Sequence, residues 1–243
     1  MWLATAVLTG LAAGGTHVVT GPDHMAAVAP LAIDSKRKSW KAGVMWGIGH
    51  SMGAWTLAVL AMIFREAIPV DLVSSWSERL VGVVLIGVGI WALRRALRGH
   101  LHTHSHTHDG HTHTHAHFHS HAHTPAAPDH SHADSGISTK HTHSHGALGI
   151  GTLHGLAGTS HLLGVLPALA LPTRADAAAY LLAFGLGSIV AMTTFASLCG
   201  LLATRGAARS HSIYRGFMIA TSLFAVLLGI YWIYDSMTQR ASA

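Results

Sequence analysis

Polar and apolar positions along this chain fall into long blocks and do not alternate. Residues 42–64, 146–173, 177–204 and 216–234 contain no Asp, Glu, Lys or Arg. Each is long enough to cross a hydrocarbon layer as a helix, which takes about 20 residues. Residues 1–33 hold a single acid, Asp23, and predict a broken span. Residues 80–93 are short, but Arg94, Arg95 and Arg98 can snorkel to headgroups and extend that span to about residue 99. Six spans result. Continuous apolar runs, without the alternating segments of about 10 residues that mark a barrel, predict helices.

Composition changes the picture by excluding a soluble fold. Half of the residues are hydrophobic and only 10% are charged, against about 25% charged in soluble domains. Mean hydropathy is +0.39 even though a polar insert at 100–145 is counted in it. Without the insert, about 200 residues remain, room for roughly six to eight crossings. The single cysteine, Cys199, excludes an intramolecular disulfide and a Cys-based zinc knuckle, and it reads as a small buried hydrophobe. The pI of about 9.8 would suit nucleic acid if the basic residues formed one patch, but they flank the apolar runs. No nucleic-acid partner is expected; the lipid bilayer is. The amino terminus has no cationic leader region and reads as a span that stays.

Charge also orients the chain. The first connection carries Lys36, Arg37, Lys38 and Lys41, the third Arg94, Arg95, Arg98 and Lys140, and the fifth Arg205, Arg209 and Arg215. The even connections hold only Arg65, Arg79 and Arg174. The positive-inside rule then puts both termini outside a cytoplasmic (inner) membrane and the 100–145 insert in the cytoplasm.

The two halves repeat a skeleton. His17-Val-Val-Thr-Gly-Pro-Asp23-His24, followed by Pro30, aligns with His154-Gly-Leu-Ala-Gly-Thr-Ser160-His161, followed by Pro167, at an offset of 137. After a one-residue shift, Gly47-Ile-Gly49-His50 aligns with Gly185-Leu-Gly187-Ser188. Three spans per half make the second copy enter from the opposite side. The expected architecture is therefore an all-α polytopic membrane protein of six helices in two inverted three-helix repeats, 1–99 and 146–243, joined by a disordered His-rich loop at 100–145. Inverted repeats place sites near the midplane of secondary transporters.

Candidate chemistry sits on the same motifs. Asp23 is the one acid inside an expected span, where a charge costs at least about 2.5 kcal/mol and calls for an interior partner. Gly21-Pro22 disfavours a continuous helix and opens backbone beside Asp23 and His24. His50 stands among small residues in an apolar span. His17, Asp23, His24, His50, His154 and His161 together read as donors to a shared divalent metal ion. Imidazole suits nickel, cobalt, zinc and copper(II), and the lack of thiolates argues against copper(I). With Ser160 where Asp23 stands, His154 and His161 are expected to tolerate replacement better than the first-half donors. The insert holds 17 of the 23 histidines, mostly as His-x-His. It has no apolar periodicity, so it is expected to be disordered without metal and to act as a chelating buffer. Acidification would release metal from it, since binding needs the neutral ring.

The string from His17 through Asp23-His24 to Pro30, with Trp46-Gly-Ile-Gly-His50-Ser51, resembles the UreH-like branch of the nickel/cobalt transporter superfamily. The His154…His161 stretch is similar to that branch's second motif. The resemblance implies a polytopic permease for nickel or cobalt, with His17, Asp23, His24 and His50 at the metal-motif positions. The chain departs from the longer nickel/cobalt permeases: it has one more residue between its first His and the Asp-His pair, and fewer spans. A His-rich cytoplasmic loop is similar to that of efflux proteins in the wider superfamily, so export stands as the alternative. A membrane storage or sensing protein is a weaker one, since a mere anchor has no need of the duplicated intramembrane histidines. An enzyme is not expected, because no His-Glu-x-x-His box and no second intramembrane acid occur. No Walker loop occurs either. No permanent cofactor is expected; nickel or cobalt is the substrate, and a homo-oligomer is compatible with the sequence.

Overall fold

A computed structural model describes residues 2–63, 70–98, 100–108, 111–119, 142–156 and 159–241. The helices are α1 (Trp2–Thr20), α2 (Pro22–Ser35), α3 (Ser39–Ile63), α4 (Val70–Arg98), α5 (Thr142–Leu156), α6 (Thr159–Leu169), α7 (Arg174–Arg209) and α8 (His211–Ala241). A 3-10 turn, Lys36–Lys38, joins α2 to α3. Within the tract expected to be disordered, β1 (His100–His108) and β2 (His111–His119) pair antiparallel, with His100 opposite His119 and His108 opposite His111. A lone two-stranded ribbon is at best marginally stable in water. Helix α5 starts at Thr142, inside the tract's carboxyl end.

Among the described residues, four helices are long and apolar enough to cross a membrane: α1, Glu78–Leu97 of α4, α7 and His211–Thr238 of α8. Their outer faces carry Leu182, Leu186 and Val190 on α7 and Leu227, Ile230 and Tyr231 on α8, all more than half exposed. The interior holds Asp23, His24, His50, Ser51, His154 and Ser188, all buried. Apolar outside and polar inside is the arrangement a bilayer requires, because an interior polar group has partners that lipid cannot supply. The chain is a membrane protein.

The expected break between α1 and α2 is present at Gly21. Gly21 is extended (φ −86°, ψ 102°) and Pro22 opens α2. Proline pushes the residue before it out of the helical region and fits a first helical position, where no intrahelical donor is lost. In the second half, Thr173 caps α7: its hydroxyl accepts from the Asp176 backbone N–H at 3.1 Å and donates to Asp176 Oδ2 at 2.7 Å.

Contacts between helices match across the two halves. Helix α1 lies on α7 as α5 lies on α3, and α4 lies on α8. Gly14 packs against the backbone of Phe184, and Gly151 against the backbone of Trp46. Gly14 and Gly151 stand 137 residues apart and Trp46 and Phe184 138 apart, the offsets of the expected repeat. Glycine at both places lets backbones approach to a distance any Cβ would prevent, the packing that serves helices in lipid. Short α2 runs through the middle, with Ala26, Ala27, Val28 and Ala32 in a core shared with Trp46, Leu85, Met192 and Ala225.

Candidate metal centre

The break at Gly21 sets the site. Helix α2 begins there, so Asp23 lies in its first turn, where the helix dipole favours negative charge. A Cβ on Gly21 would collide with Nδ1 of His24 and stand 2.9 Å from Asp23 Oδ1. Glycine is thus required by the side chains as well as by the turn. His17 enters from α1, His50 from the middle of α3 and His154 from near the end of α5.

Four imidazoles and one carboxylate converge. The His17 and His24 ring centres are 4.6 Å apart, His24 and His50 5.0 Å, and His24 and His154 4.8 Å. Asp23 bridges two of them: Oδ1 is hydrogen-bonded to His24 Nδ1 at 3.0 Å, and Oδ2 lies 3.1 Å from His154 Nε2. Two overlapping triads result, His17–His24–His50 and Asp23–His24–His154. Within each, the donor atoms lie within 4.8 Å of one another, a span that modest side-chain movement closes around an ion.

The walls hold these rings in place. Trp46 is fully buried and stacks on His50 at 5.0 Å and 12°, and it also faces His24 and His154. One turn of α3 is tied to α7 by Ser51, whose hydroxyl meets the carbonyls of Gly47 at 2.8 Å and Gly185 at 3.2 Å. Trp55 Nε1 donates to the Leu181 carbonyl at 2.8 Å. The donor set is nitrogen-rich with one hard oxygen and no thiolate, since Cys199 packs elsewhere, in the core around α7. That chemistry fits the borderline divalent ions, nickel, cobalt, zinc and copper(II).

Of the six residues expected at the site, His17, Asp23, His24, His50 and His154 come together. His161 belongs to α6, and its side chain lies outside the described residues. Sequence reasoning missed Trp46 as a wall of the site, although it belongs to the quoted motif. It also missed Asp34, at the end of α2, which is half-buried and paired with Arg95 of α4. The signal was available: Asp34 lies three helical turns beyond Asp23 on one short helix.

Comparison with known proteins yields three relatives of note. The chain is 29% identical over 94% of its length to the chloroplast protein FOR GROWTH AND FERTILITY 1 of Arabidopsis thaliana, of which it spans only 58%. It is 29% identical over 96% of its length to the urease accessory protein UreH of Bacillus sp. strain TB-90, spanning 92% of that protein. Over 39% of its length it is 28% identical to a protein described as a candidate nickel/cobalt efflux system of Methanocaldococcus jannaschii, spanning 46% of it. No protein-family model and no solved structure matches the chain. The relatives bear out the resemblance to the UreH-like branch of the nickel/cobalt transporter superfamily.

Proposed function

We propose that this chain is a secondary transporter that moves a divalent transition metal, nickel or cobalt, through the His/Asp cluster at its centre. The observation that carries the reading is the bridge from Asp23 to both His24 and His154, with His17 and His50 beside it. A buried carboxylate is costly in an apolar interior. An ion of charge +2 bound there would offset that cost.

The architecture belonging to this reading is six spans in two inverted repeats: α1 with α2, α3, α4, then α5 with α6, α7 and α8. The matched contacts of Gly14 with Phe184 and Gly151 with Trp46 support it. Positive charge on the odd connections supports a cytoplasmic membrane, with termini outside and the His-rich loop inside. Residues 1–99 and 146–243 then form the transport unit, and the loop at 100–145 serves as a chelating buffer. The metal ion is the substrate, the bilayer is the surrounding partner, and no resident cofactor or catalytic reaction is required.

Efflux is the second reading, favoured by the His-rich tract and by the likeness to the archaeal relative described as a nickel/cobalt efflux system. Radioactive nickel and cobalt accumulation should be compared in two hosts, one lacking uptake and one lacking export. Uptake predicts a rise in accumulation in the first host that His24→Ala abolishes. Export predicts a fall in the second. No change in either host would overturn the transport reading.

A further inference from the structure

The donors divide into two triads that share His24, and this division carries a mechanism. His17 and His154 are equivalent in the sequence repeat and lie on the matching helices α1 and α5. Both approach His24, at 4.6 and 4.8 Å between ring centres. In an inverted repeat, equivalent helices enter from opposite sides of the membrane. On the six-span architecture proposed above, one triad faces each side, with His24 between them. The triads also differ in donor type: His17–His24–His50 offers three imidazoles, and Asp23–His24–His154 includes a carboxylate. They differ in access, since His17 is half-buried while Asp23, His24 and His154 are all buried.

We infer that the centre is two overlapping stations, through which a single divalent ion is passed by ligand exchange around His24. This rests on the transport reading above. The ion keeps His24 throughout and exchanges His17 and His50 on one side for Asp23 and His154 on the other. One ion is held at a time, because the single carboxylate of the cluster cannot offset two +2 charges a few ångströms apart. The station with the carboxylate binds more tightly and the one of three imidazoles exchanges faster. The asymmetry arises because Ser160 and Ser188 stand in the second half where the first half has Asp23 and His50.

Cobalt(II) is the probe, because its visible absorption reports donor type and coordination geometry. The full-length protein is titrated with cobalt chloride in detergent, and His24→Ala, which removes the ligand common to both stations, supplies the background of cobalt held by the His-rich tract. His17→Gln/His50→Gln is expected to keep one cobalt per chain above that background while losing flux in vesicles. Asp23→Asn/His154→Gln is expected to bind with a different spectrum and at least about tenfold more weakly, the loss that removal of even an outer partner can cause. If either pair binds no more than the background, the donors form one indivisible site and the two-station inference falls. Two cobalt ions per chain above background in the unaltered protein would also overturn it. Where a double variant fails to insert, His50→Gln and His154→Gln singly give the same comparison. Unaltered protein binding no more cobalt than His24→Ala would instead sink the metal-transport reading itself.

Discussion

Oδ2 of Asp23 lies 3.1 Å from Nε2 of His154, which joins an acid of the first half to a histidine of the second. The sequence pairs Asp23 with His24, its neighbour on α2, and treats the second-half histidines as poorer copies. The fold makes His154 a direct partner of the one acid at the centre.

His154 should therefore behave as a first-half donor. His154→Ala is expected to lower nickel or cobalt flux by at least about tenfold, the same loss expected of His17→Ala, Asp23→Ala and His50→Ala. Initial rates at limiting metal, normalised to inserted protein, test this. Flux within twofold of normal in His154→Ala would remove it from the site.

Gly21→Ala probes the cradle without touching a donor. Its methyl group would collide with His24 Nδ1, so the imidazole must move and the Asp23–His24 bond must lengthen or break. Metal affinity is expected to fall while helix content is kept. Circular dichroism and metal titration on the same sample separate the two effects, and unchanged affinity would show that the cradle has slack.

The Asp34–Arg95 pair closes the far end of α2. Asp34 is 9% exposed and Arg95 41%, so solvent already screens part of the attraction. Arg95→Ala leaves a nearly buried carboxylate without this cation, at a cost of about 1–3 kcal/mol. Asp34→Asn/Arg95→Gln should recover part of the loss. Thermal unfolding in detergent reads both, and equal stability of all forms would make the pair incidental.

Orientation has a direct measurement. Reporters at Ala243 and within 120–140 are expected on opposite faces of the membrane, the second in the cytoplasm. Both on one face would break the six-span scheme and the inverted repeat with it.

Deleting residues 101–140 separates buffering from translocation. The central donors are untouched, so maximal flux should change little, while metal bound per chain falls sharply and flux at scarce metal drops. Chelation raises local concentration and adds no ligand within the membrane. Flux against free nickel, for deletion and intact protein, is the assay. Loss of maximal flux with normal insertion would give the tract a part in gating.

Much of this was legible in the linear sequence. Long uncharged runs must become helices in lipid, because each backbone donor needs a partner that lipid lacks. Gly21-Pro22 dictates a break locally, since proline constrains its own turn and the residue before it. Residue chemistry alone makes the cluster a fit for borderline divalent ions. Which donors meet is a different matter. The Asp23–His154 approach depends on α5 lying against α3, and that depends on Gly151 and Gly155 meeting the backbones of Trp46 and His50. Trp46 became a wall and Asp34 a partner of Arg95 by the same long-range packing. Local pattern specifies where a helix runs and which residues it offers; only the close approach of distant backbones decides which of them touch.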